Sequence, residues 1–178
     1  MKVFDSNYVK LSRPRYPTLY FASDYFNEIF DRLKSLDYSN VKQGIPRDKG
    51  IYFWFVGEQV NYIGIAKNRN GLYGRVALQH LNEKYLEFRE SKQNPELDKF
   101  QLSQAVQTLD AKGNAKIGID KSTFRKKIGR KFKLKPGSET VSYIKENGIL
   151  KFTAINNITG KSLDLIEATL IAFFQPPL

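Results

Sequence analysis

The chain has 178 residues, no cysteine, 41% hydrophobic residues and a net charge of +11. That composition excludes a disulfide scaffold, thiolate metal sites and general disorder, and it suits one domain with a sizeable core. No apolar run approaches membrane-spanning length and Met1-Lys2-Val3-Phe4-Asp5 starts no signal-peptide core, so the expectation is a soluble, cytoplasmic protein.

Residues 1–43 read as an N-terminal extension with one helix. Arg13-Pro14-Arg15-Tyr16-Pro17 favours extended or turn structure. Ser23-Asp24 offers a cap for a helix to about Leu36, with Phe26, Ile29, Phe30 and Leu33 at helical spacing. Gly44-Ile45-Pro46 breaks the chain. An apolar, aromatic run then extends from Ile51 to Val56, and a second β-prone run from Val60 to Ala66 follows the turn Gly57-Glu58-Gln59. Two such runs around a short glycine-containing turn predict a hairpin. Tyr52 and Tyr62 fall on its two strands, where cross-strand side chains can meet. A polar loop, Lys67 to Gly71, precedes a helix predicted from Leu72 to about Leu81.

The following stretch reads as a series of helices. A charged segment, Asn82 to Gln93, leads to Asn94-Pro95-Glu96, where asparagine as cap and proline at the first helical position start a helix to about Leu109. Ser122 caps another, in which Phe124, Ile128 and Phe132 recur every fourth residue under a surface of Arg125, Lys126, Lys127, Arg130 and Lys131. From Ala111 to Gly137 there are ten Lys or Arg against Asp120 alone. A localised excess of this kind is the electrostatic footprint of a polyanion binder. A short helix from Glu139 to Glu146, a strand from Ile149 to Ile155 and a helix capped by Ser162, Leu163 to Phe174, complete the chain before Pro176-Pro177. The expected fold class is α+β. A small three-stranded antiparallel sheet is flanked by helices, and the domain at 44–178 is interrupted by a helical basic insert at about 83–148.

Gly50-Ile51-Tyr52 and Tyr62-Ile63-Gly64 resemble the two signature tripeptides of the GIY-YIG nuclease superfamily. Tyr62 to Asn68 with Leu72-Tyr73-Gly74-Arg75 is similar to the corresponding segment of its excision-repair members, with extra residues at Arg69 to Gly71. Leu165 to Ile171, with Pro176-Pro177, is similar to the family's terminal helix. The resemblance covers roughly residues 44–82 and 149–178. It implies a Mg²⁺-dependent, restriction-type endonuclease that hydrolyses DNA phosphodiester bonds, with one divalent ion per site that Mn²⁺ can replace. The alternatives are a structure-specific DNA repair nuclease and a catalytically inactive nucleic-acid-binding module.

By the same resemblance, Tyr52 orients or deprotonates the attacking water and Tyr62 hydrogen-bonds phosphate or water. Arg75 clamps the scissile phosphate and Glu167 holds the metal. The family usually has a histidine four residues after its arginine; here Gln79 holds that place and His80 comes one later. On an α-helix this turns the side chain by about 100°, onto the line of Leu72 and Val76, so His80 is a candidate both for catalysis and for the core. An asparagine frequent in the family past the final prolines has no counterpart before Leu178, and reduced activity is the expectation. Candidate DNA contacts are Lys67, Arg69, Lys121, Arg125, Lys126, Lys127, Arg130 and Lys131. The expected partner is double-stranded DNA. One site cuts one strand, so a homodimer is one route to a double-strand break.

Overall fold

A computed structural model describes residues 26–90, 103–155 and 157–178. In chain order they form helix α1 (residues 26–31), strand β1 (Lys34–Ser35), a 3₁₀ turn (Tyr38–Asn40) and helix α2 (Val41–Gly44). Then come strands β2 (Gly50–Val56) and β3 (Gln59–Ala66), and helix α3 (Tyr73–His80), which is wound as a π-helix. The insert contributes strands β4 (Leu86–Glu90), β5 (Val106–Leu109) and β6 (Ala115–Asp120), with helices α4 (Thr123–Phe132) and α5 (Ser138–Asn147). Strand β7 (Ile149–Ala154) and helix α6 (Gly160–Phe174) close the chain. The fold is α+β, with antiparallel sheets flanked by helices. Among the described residues no helix is long and apolar enough to cross a membrane.

The β2–β3 hairpin is central because both its faces are covered. Ile51, Phe53, Phe55, Val60 and Ile63 join Ile29 of α1 and Leu163 and Leu170 of α6 in one core. Tyr52, Trp54, Tyr62 and Ala66 join Leu72, Val76, Phe124, Ile128 and Ile144 in another. A strand buried on both sides has no polar face, which is why residues 51–55 read as an unbroken apolar run. Gly50 sits so close to β7 that a Cβ there would overlap the Thr153 carbonyl oxygen.

The main sheet has four strands, in the order β1-β7-β2-β3, where three were expected. The extra strand comes from the segment predicted to continue α1 to Leu36. Instead α1 ends at residue 31, Lys34 and Ser35 pair with Phe152 and Lys151, and the Leu36 amide donates to the Leu150 carbonyl at 2.8 Å. The open edge of β7 offers hydrogen bonds that outweigh the local helical spacing.

The insert is not purely helical. β4, β6 and β5 form a second antiparallel sheet, with Leu86 opposite Asp120 and Val106 opposite Gly118. The expectation of helix is therefore corrected over residues 86–90 and 106–109, while residues 91–93 lie outside the described residues. Leu86 and Phe88 alternate with Glu87 and Arg89, a period of two that a charge-rich reading hides. The predicted Asn94-Pro95 helix start lies outside the described residues. Ser122 caps α4 as expected, accepting from the Arg125 amide. At α6, Thr159 is the cap in place of Ser162, whose amide donates to the Thr159 hydroxyl at 3.1 Å.

Candidate active site

A cleft of about 630 Å³ opens at the free edge of β3, between α3 and α6. Lys67 and Asn70 line it from the β3 end and the loop beyond, Arg75 and Gln79 from α3, and Asp164 and Glu167 from α6. Behind this wall lie Tyr52, Tyr62 and His80, at 0%, 7% and 0% exposure. Five residues singled out in the sequence, Tyr52, Tyr62, Arg75, His80 and Glu167, thus converge from four elements.

The hairpin register decides how the tyrosines meet. Tyr52 lies opposite Gly64, and Tyr62 opposite Trp54, so the two phenols are diagonal neighbours on one face. Their rings stack with centroids 6.1 Å apart. Gly64 is required here: a Cβ would overlap the Tyr52 Oη. Burial and then Tyr62 push the Tyr52 phenol well above its ordinary range, with Arg75 opposing. Burial also raises Tyr62, against the pull of Arg75. Fully buried and with its phenol pKa raised, Tyr52 lies behind the cleft wall and is not among the residues that line it.

His80 is resolved by the winding of α3. The Leu81 amide bonds the Val76 carbonyl at 2.9 Å, an i→i+5 link that adds a residue per turn relative to an α-helix. The offset expected from five-residue spacing is absorbed. His80 Nε2 lies 2.7 Å from Tyr52 Oη, and Nδ1 lies 2.7 Å from Ser122 Oγ. Gln79, at the four-residue position, accepts instead from Arg75 Nη1 at 2.7 Å. Burial, then the nearby Arg75 and Arg125 charges, hold the His80 pKa well below its usual value, so the ring is neutral at pH 7.

Arg75 is half-buried, and its Nε is a buried donor with no hydrogen-bond partner. Burial opposes its charge, but the Tyr52, Tyr62 and Tyr85 phenols outweigh that and raise its pKa. Glu167 is pushed up by burial and then by Asp164, while Arg75, the Ile65 amide and Lys67 pull it down. A half-buried carboxylate with a raised pKa at a cleft wall would gain from a divalent cation, and Mg²⁺ is content with one carboxylate and several waters. Glu167 therefore suits a metal ligand, although among the described residues no three His, Asp or Glu side chains gather as a cage. Asp164, one turn earlier on α6, was not singled out from the sequence; the i, i+3 spacing from Glu167 was its signal. It binds Lys67 Nζ through both oxygens, at 2.7 and 2.9 Å.

The basic residues divide sharply. Lys127 holds its ammonium 5.7 Å from the Tyr62 ring centroid, and Lys121 is 5.4 Å from that of Tyr85, a cleft-lining residue. Arg130 and Lys131 are exposed further along α4, Lys126 is half-buried beside them, and Arg69 is exposed in the loop before α3. Arg125 is the exception. It is fully buried, ion-paired to Asp120, and bonded to Thr140 Oγ1 at 3.2 Å and to the Gln79 and Asn82 carbonyls. The expected DNA contact at Arg125 is therefore corrected: a fully buried guanidinium that donates to protein acceptors cannot reach a phosphate. Ser122, read from sequence only as a helix cap, also bonds His80. Comparison with family models, curated proteins and solved structures finds no match for this chain.

Proposed function

We propose that this protein is a divalent-metal-dependent endonuclease of the GIY-YIG kind, acting on DNA. The observation that carries the reading is the convergence of Arg75 and Glu167, from two sides of one strand edge, on a cleft backed by Tyr52, Tyr62 and His80. Phosphodiester hydrolysis needs positioning and charge relief more than covalent chemistry. Arg75 brings a forked donor with one buried N–H unpartnered, suited to a phosphate oxygen. Glu167 would hold Mg²⁺, which would supply charge relief and an activated water. Tyr62, the less buried of the two phenols, would bond phosphate or water, while Tyr52 stacks on Tyr62 and bonds His80. Lys121 and Lys127 stand next to cleft and site aromatics, and Arg130 and Lys131 continue the charge along α4, a track for the duplex backbone. Supercoiled plasmid with Mg²⁺ tests the reading. Nicking is expected, with loss in Glu167→Ala and Arg75→Ala; nicking that survives both changes would sink the site.

A further inference from the structure

We propose that Ser122, at the cap of α4, fixes the His80 proton on Nε2 and so gives direction to a buried hydrogen-bond chain running from the insert through Tyr52 toward the cleft. Its catalytic importance rests on the nuclease reading above; the proton's position does not.

Ser122, His80 and Tyr52 share few protons in a dry place. Ser122 is 1% exposed, and His80 and Tyr52 are at 0%. The Ser122 hydroxyl bonds two groups: it accepts from the Arg125 amide at 3.3 Å and lies 2.7 Å from His80 Nδ1. A hydroxyl has one proton to give. If Nδ1 accepts it, the cap bond, the Ser122–His80 bond and a His80 Nε2–H to Tyr52 Oη bond are all satisfied at once. If Nδ1 carried the proton, Ser122 would accept twice. Its own buried hydrogen would then have no acceptor, at a cost of about 1–3 kcal/mol. Tyr52, accepting from His80, keeps its own O–H for Tyr62 beside it.

The surroundings hold this arrangement in place. Phe124 sets its ring edge-on to His80 at 5.3 Å. Arg125 Nη1 donates to Gln79 O at 3.2 Å and to Asn82 O, one carbonyl on each side of His80. The first turn of α4 therefore grips the end of α3, and Ser122 is the positioning residue within that grip.

His80 is the chain's single histidine, so one imidazole carries the whole answer. The full chain is labelled with ¹⁵N-histidine and its ring nitrogens are read by long-range proton–nitrogen spectra at neutral pH. The expected result is a protonated Nε2 and a bare Nδ1 in the wild type. Ser122→Ala should shift or mix the tautomers, and Ser122→Thr should restore the wild-type pattern. A wild type with its proton on Nδ1, or a Ser122→Ala spectrum identical to wild type, overturns the proposal. The wild-type spectrum decides even if a variant fails to fold. Plasmid nicking is measured alongside: kcat should fall by roughly 10- to 100-fold in Ser122→Ala with KM unchanged, as when a group holding a functional imidazole is removed. If the tautomer behaves as expected but nothing cleaves DNA, the nuclease reading fails and the assignment of Ser122 stands.

Discussion

On one face of β2, Ile51, Phe53 and Phe55 meet side chains from α1 and α6 that are almost entirely apolar. On the other, Tyr52 and Trp54 meet α3, α4 and α5, and the side-chain polar atom of each has a named partner. Tyr52 Oη bonds His80, and Trp54 Nε1 donates to the Ile144 carbonyl at 3.1 Å. Both faces are dry, and both rest on the same strand. The first is held by non-directional burial, which accepts approximate shapes. The second is held by directional bonds, where one missing partner strands a buried polar group. A single strand can thus anchor the fold and present the site, because alternate side chains face opposite environments.

The widest separation of the two faces is expected in activity. Glu167→Gln or Arg75→Ala should lower plasmid nicking by about 10²–10³-fold, the usual range for a lost charge-stabilising group, with the melting temperature little changed. Phe53→Ala, on the apolar face, should do the reverse, costing about 3–5 kcal/mol in urea unfolding as a large core aromatic does. Tyr52→Phe probes the bonded face. It keeps the packing, leaves His80 Nε2 unpaired, and should cost about 1–3 kcal/mol while reducing nicking. Should Tyr52→Phe prove neutral in both assays, the contrast between the faces is wrong.

A smaller signal lies in pH. His80 has a folded pKa well below its ordinary value, because of burial and the charges of Arg75 and Arg125. Below about pH 6.5 the unfolded chain takes up a proton that the folded chain refuses, so stability falls as pH drops, by up to about 1.4 kcal/mol per pH unit. His80→Asn should flatten urea-unfolding free energies between about pH 6.5 and 5. Glu167 has the opposite sense: its carboxyl is raised, so stability is lost as pH rises through its folded pKa. Mg²⁺ should recover that loss in wild type and not in Glu167→Gln, seen as a metal-dependent rise in melting temperature. The smallest effect is on DNA binding. Removing Lys131 or Arg130 should reduce the salt slope of binding by about one each. Arg125→Ala, on the same helix, should instead destabilise the fold by about 3–5 kcal/mol, since Asp120 loses its buried partner.

The hairpin, β7, α4 and the terminal helix were legible in the sequence because each carries its own pattern: an apolar run between turns, alternation, or a capped four-residue repeat. The candidate site residues Tyr52, Tyr62, Arg75 and Glu167 stood out as types in order along the chain, and the fold brings them to one strand edge. What sequence could not reach depended on partners far away. β1 and the insert's sheet exist because distant strands offer hydrogen bonds; Lys34 meets Phe152, and Leu86 meets Asp120. Arg125 and Lys126 are neighbours in sequence and alike in charge, and only tertiary burial makes one a strut and leaves the other near solvent. His80 depended on the winding of α3, which local spacing does not encode, and on Ser122, 42 residues later. Local patterns record which face of an element is buried; the identity of what it is buried against is settled only when the chain closes on itself.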